Sequence, residues 1–140
     1  HNYKLKFSKK NIHLELSSTE KACFIIGDMN RLNQLFNNLL NNSVLYTNEG
    51  GKDQISLSCD RDVVNISIKD SSPGLDVEKL EKIFNRWYRA EKSRNKNLGG
   101  SGLGLSICKE IINAHNGEIK AIPSSLGGVE INIRLPRKLS

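Results

Sequence analysis

No apolar run in this 140-residue chain approaches the roughly 20 residues that a membrane-spanning helix needs. The opening, His1-Asn2-Tyr3-Lys4-Leu5-Lys6, has no apolar core of the signal-peptide kind and no initiator methionine, so the chain is expected to be a piece of a longer protein. Cysteine is sparse: Cys23, Cys59 and Cys108 are odd in number and far apart. That spacing suggests neither a disulfide framework nor a zinc site, and the expectation is three buried thiols in a reducing compartment. His1, His13 and His115 are scattered too, which argues against a histidine metal cluster. Repeats and low-complexity tracts are missing.

What is present fits one soluble globular domain spanning residues 1–140, with 37% hydrophobic and 26% charged residues. The net charge of +6 would suit nucleic acid, an acidic surface or a polyphosphate ligand. It is concentrated in Arg86, Arg89, Lys92, Arg94 and Lys96, opposed only by Glu91. Such a cluster is either a solvated basic loop or a phosphate contact.

Leu5 and Phe7, then Ile12, Leu14 and Leu16, alternate with polar residues, which predicts two short opening strands. Cys23-Phe24-Ile25-Ile26 predicts a further buried strand ended by Gly27. Asp28 stands as an N-cap before a helix whose apolar stripe is Leu32, Leu35, Phe36, Leu39, Leu40 and Ser43, running to about Tyr46. Ile55, Leu57 and Cys59 alternate, as do Val64, Ile66 and Ile68, giving a hairpin about Asp60-Arg61-Asp62. A short helix from Asp76 places Leu80, Ile83, Phe84 and Trp87 on one face. A second long helix, about Gly102 to His115, ends at Asn116-Gly117, and a strand pair across Gly127-Gly128 closes the chain. No regular β-α-β alternation occurs. The order predicts an α+β fold, a two-layer sandwich with helices on one face of a mostly antiparallel sheet.

Three stretches carry candidate chemistry. Gly99-Gly100-Ser101-Gly102-Leu103-Gly104-Leu105 runs from a glycine loop into a helix, the outline of a phosphate site. Asn38 and Asn42, four apart on the first long helix, share one border of its apolar stripe. They either bond to a neighbouring loop or hold a ligand. Asp70 ends a strand before Ser71-Ser72-Pro73-Gly74, where its carboxylate could cap the turn or accept from a base amino group.

In this order and spacing the motifs resemble the ATP-binding catalytic domain of sensor histidine kinases, in the group that includes gyrase, the Hsp90 chaperone and MutL. Asn38 to Ser43 through Tyr46-Thr47 is similar to the family's N box, Asp70 to Gly74 to its first glycine box, Phe84 to Arg89 to its F box, and Gly100 to Leu105 to its second glycine box. The resemblance implies a Bergerat-type fold that binds ATP and Mg²⁺. Asn42, with Asn38 beside it, would hold the metal, Asp70 would receive the adenine amino group, and Tyr46 would line the base pocket. Ser72 and Gly74 would shape the adenine turn. Gly100, Ser101, Gly102, Leu103, Gly104 and Leu105 would approach the phosphates, and Arg89 with Arg86 would meet the γ-phosphate. Two positions depart from the family's pattern: Leu45, where a Lys or Arg is usual, and Ser72, where a glycine is. Weaker nucleotide affinity is the expectation.

The implied reaction is phosphoryl transfer to a histidine. None of this chain's histidines has the setting of the family's acceptor, which is therefore expected on a separate dimerisation segment. Asn38, where the group's ATPases carry a glutamate base, favours kinase over hydrolase because an amide cannot take a proton from water. The resemblance further implies a two-component system with a response regulator as partner, and a place as the cytoplasmic domain of an inner-membrane bacterial sensor. The rival reading is a basic nucleic-acid-binding domain, which leaves Asn38, Asn42 and Asp70 without a task; no nucleic-acid partner is expected.

Overall fold

The computed structural model describes residues 2–18, 24–71, 77–80, 82–85 and 104–138. Its elements run α1 (Asn2–Lys9), β1 (His13–Ser18), α2 (Met29–Tyr46), β2 (Lys52–Cys59), β3 (Val63–Asp70), α3 (Val77–Leu80), α4 (Gly104–Ala114), β4 (Glu118–Pro123) and β5 (Val129–Pro136).

The five strands form one sheet in the order β1-β2-β3-β5-β4, antiparallel except for the parallel β1–β2 pair at one edge. Period-two alternation separates its faces. Val64, Ile66 and Ile68 stand opposite Leu135, Ile133 and Ile131 and are buried with them. Asn65, Ser67 and Lys69 stand opposite Arg134, Asn132 and Glu130 on the other face, where Ser67 donates to Glu130 at 3.1 Å. Helices cover the apolar face: Leu35 and Leu39 of α2 and Cys108, Ile111 and Ile112 of α4 complete the core. This is the expected two-layer α+β sandwich.

Helix α2 starts as its sequence predicts, with the Asp28 carboxylate accepting from the N–H groups of Asn30 and Arg31 at 2.9 and 3.3 Å. At its other end the Lys10 ammonium donates to the carbonyls of Val44 and Leu45 at 2.8 and 3.1 Å. A cation there satisfies free carbonyls and opposes the helix dipole.

Three expectations are corrected. Leu5 and Phe7 lie on helix α1, not on a strand, with Phe7 buried and Leu5 exposed. Two apolar residues are too few to separate a period of two from one of 3.6, and the single anchor Phe7 suffices to seat one helical face. Residues 24–28 form no strand: Phe24 and Ile26 are exposed, Ile25 alone of the three touches the core, and the segment is tied by a Lys138 N–H to the Phe24 carbonyl at 2.7 Å. Cys23 lies outside the described residues. Cys59 is not a reduced thiol but disulfide-bonded, to a partner outside the described residues. Sequence spacing carries no information on which thiols a fold brings together. Cys108 is free and buried, and burial pushes its thiol up to about 12, which leaves it inert.

Candidate functional site

Asn38 and Asn42 are half-buried on α2, at the border of the stripe whose centre is Leu35, Leu39 and Ser43. Their neighbour Asn41 is exposed and accepts from the Lys6 ammonium at 3.2 Å. No side-chain hydrogen bond of Asn38 or Asn42 is found among the described residues. Two amides, each offering an oxygen, stand one turn apart on a single helix face. Tyr46, one further turn along, closes the helix and is half-buried.

Asp70 ends β3, half-buried, beside two turns that close on it. The Val129 N–H donates to its Oδ1 at 2.8 Å, and the Gly128 N–H donates to its backbone carbonyl at 3.1 Å. Next to it, Ser71 Oγ accepts the Lys52 N–H at 2.9 Å. Gly127 makes the approach possible: its φ is +105°, and a Cβ there would lie 2.9 Å from the Ser71 carbonyl oxygen. Burial raises the Asp70 carboxyl to about 6 against the Val129 bond, which favours the charged form.

Sequence reasoning missed Asp53. It is fully buried at the start of β2, opposite Asp70 in the β2–β3 register. The Thr47 hydroxyl, also fully buried, lies 2.9 and 3.2 Å from its two oxygens. Burial raises Asp53 to about 7; the Thr47 bond opposes this, the Asp70 charge reinforces it, and Lys10 opposes it. The signal was present: the alternation of Ile55, Leu57 and Cys59, carried one step back, puts a carboxylate on the core face. Thr47 and Asp53 tie the end of α2 to Asp70, and so hold Tyr46 and Asp70 at one end of the sheet.

Of the second glycine stretch, Gly104 and Leu105 open α4, both half-buried, and nothing lies within 4 Å of where a Gly104 Cβ would be. Among the described residues, nothing crowds that point of the helix start. Ser72, Gly74, Arg86, Arg89, Gly100, Ser101, Gly102 and Leu103 lie outside the described residues.

With this geometry, comparison with known proteins gives the class. Residues 27–139 match the family described as histidine kinase-, DNA gyrase B- and HSP90-like ATPase, and the chain belongs to that family. Within it, the relatives found are sensor kinases. The chain is 46% identical over 134 residues to the signal transduction histidine-protein kinase BaeS of Escherichia coli, covering 96% of this chain and 28% of BaeS. It is 34% identical over 133 residues to the sensor histidine kinase WalK of Bacillus subtilis, covering 92% of this chain and 22% of WalK. The chain thus spans about a quarter of the length of these relatives. The catalytic domain of histidine kinase ThkA superposes with a TM-score of 0.84 at 29% identity, covering 97% of this chain and 87% of that one. A structure of ThkA in complex with its response regulator TrrA aligns at a TM-score of 0.80 and 28% identity, over 98% of this chain and 37% of that one.

Proposed function

We propose that this chain binds ATP with Mg²⁺ and donates the γ-phosphate to a histidine on a separate dimerisation segment of a longer sensor kinase. The observation that carries this is the pair of half-buried amides, Asn38 and Asn42, which no described residue bonds, on a domain of this family. Amide oxygens are hard neutral donors that suit Mg²⁺, which keeps several waters and shares phosphate oxygens. The metal supplies charge neutralisation of the phosphates.

This chain's residues do the positioning. Asp70, with Oδ1 fixed by Val129, offers Oδ2 to the base amino group. Tyr46 lines the base pocket, and Ser72 and Gly74 are assigned to it by the family motif. The open start of α4 at Gly104 and Leu105, with Gly100, Ser101, Gly102 and Leu103 before it, receives the phosphates on backbone N–H groups. Arg89 and Arg86 supply planar cations for the γ-phosphate. Asn38 cannot act as a base toward water, so the transfer goes to a protein side chain rather than to hydrolysis. The complex of ThkA with TrrA supports a response regulator as the downstream partner. We place the domain on the cytoplasmic side of an inner-membrane protein, by analogy with the sensor kinases it resembles.

The test is transfer in trans. The chain is incubated with γ-labelled ATP, Mg²⁺ and the histidine-bearing segment of its parent protein. Acid-labile label on that segment is the expected result; phosphate release without labelled protein contradicts it.

A further inference from the structure

A carboxylate in a core position needs a reason. Asp53 lies on the helix-covered face of the sheet, fully buried, and its cross-strand partner is Asp70. Directly opposed residues have Cβ atoms about 5 Å apart, so the two carboxyls are neighbours. One hydroxyl, that of Thr47, serves both Asp53 oxygens. The charged groups that face Asp53 among the described residues are Asp70 from β3 and Lys10 from the turn after α1. The Lys10 ammonium is already engaged by the carbonyls of Val44 and Leu45. From β1 the register partner is the apolar Leu14, and the end of α2 contributes Thr47. A fully buried carboxylate with one hydroxyl to solvate it, beside a half-buried carboxylate that has a backbone N–H, does not stay charged with its neighbour.

We propose that Asp53 is a positioning residue of the nucleotide site: it holds the proton of the Asp53–Asp70 pair, leaving Asp70 as the ionised acceptor for the base. This rests on the assignment of Asp70 to the base amino group made above. Solvation sets the order of titration, since Asp53 has no solvent-exposed surface and no backbone N–H on its oxygens among the described residues, whereas Asp70 is half-buried and accepts from Val129. The Asp53 and Asp70 values of about 7 and about 6 agree with that order.

Linkage then couples nucleotide to proton. A bound polyphosphate adds negative charge and displaces water, and both favour the protonated form of Asp53. Affinity therefore falls as the pH rises past the point where free Asp53 ionises. An Asp53→Asn variant is neutral throughout, keeps an oxygen for the Thr47 hydroxyl, and is free of that fall.

The experiment compares dissociation constants of a non-hydrolysable ATP analogue with Mg²⁺ for the unmodified chain and Asp53→Asn between pH 6 and pH 8.5. The analogue's own phosphate titration is common to both and cancels in the ratio. Each unit by which the nucleotide raises the Asp53 pKa gives tenfold in that ratio, and a rise of about tenfold is expected. A ratio constant with pH overturns the proposal. Carbon-13 spectra of the aspartate carboxyls in the unmodified chain provide a second reading that requires no variant. They should show one buried carboxyl titrating near neutrality and moving upward on nucleotide binding; a carboxyl at position 53 that is ionised at pH 5 overturns the proposal. Failure of the unmodified chain to bind the analogue at pH 6.5 would instead contradict the assignment of Asp70 on which it rests.

Discussion

The backbone N–H of Val129 fixes Oδ1 of Asp70 at 2.8 Å, so the orientation of the carboxylate is set by main chain rather than by another side chain. Only its second oxygen is left to face a ligand. Strand β5 thereby braces Asp70, and with it the proposed site, whose other proposed members come from α2, β3 and α4.

Asp70→Asn tests that arrangement. Its amide oxygen can keep the Val129 bond, which turns the NH₂ toward the base amino group and sets donor against donor. Nucleotide affinity is expected to fall about 10- to 100-fold, in line with one lost charge-assisted bond of roughly 1.5–3 kcal/mol. Thermal stability at pH 8 should hold or rise, because burial disfavours the charged carboxylate. Calorimetry with a nucleotide analogue and a thermal melt measure the two separately.

Gly127→Ala should damage stability and site together. The added Cβ meets the Ser71 carbonyl oxygen at 2.9 Å on a backbone with φ of +105°. A cost of about 1–3 kcal/mol is expected. The turn would also withdraw the N–H groups of Gly128 and Val129 from Asp70, weakening nucleotide binding. A melt unchanged from the parent would argue against so close an approach.

Stability should respond to pH in the direction opposite to that of paired carboxylates. Asp53 rises from 3.8 to about 7 through burial, so between those values the folded chain holds a proton that the unfolded chain has released. Stability present at low pH is lost as pH rises from about 4 through 7, on the order of 4 kcal/mol for this group. Asp70 acts in the same sense up to about 6. Urea melts at pH 5 and pH 8 should favour pH 5, and Asp53→Asn should flatten the difference by gaining stability at pH 8.

At the other end of α4, His115 acts on the fold alone. Its Nε2 accepts the Asp28 N–H at 3.1 Å, its Nδ1 lies 2.8 Å from the Ile111 carbonyl, and a Cβ at Gly27 would sit 2.6 Å from the ring. The ring lies about 16 Å from the open start of the helix, at 1.5 Å per residue. His115→Ala should lower stability by about 1 kcal/mol and leave nucleotide affinity unchanged. A coupled loss of affinity would show that the two ends communicate.

The sequence disclosed the fold wherever a pattern was long enough to have one period. The stripe from Leu32 to Ser43 and the paired alternations around Asp60-Arg61-Asp62 are such patterns. The alternation of Leu5 with Phe7 and the apolar run Cys23-Phe24-Ile25-Ile26 were too short, and over their described residues they lost to a helix and to a segment that forms no strand. Of the candidate site, the positions of Asn38 and Asn42 on the border of a helix stripe and of Asp70 at a strand end were legible from periodic elements, while the role proposed for Tyr46 came from the family resemblance. Asp53 was not legible, since the alternation was read only from Ile55 onward and the polar opening residues of β2 were left out of it. The Val129 and Gly127 contacts are products of strand pairing across 59 residues, which no local pattern contains.

The most direct measurement is calorimetric binding of a non-hydrolysable ATP analogue to the chain, with and without Mg²⁺, alongside Asn42→Ala. The account requires binding that Mg²⁺ strengthens, with that enhancement lost in Asn42→Ala while the metal-free affinity stays. Equal affinity with and without Mg²⁺, or an undiminished metal effect in Asn42→Ala, would contradict it.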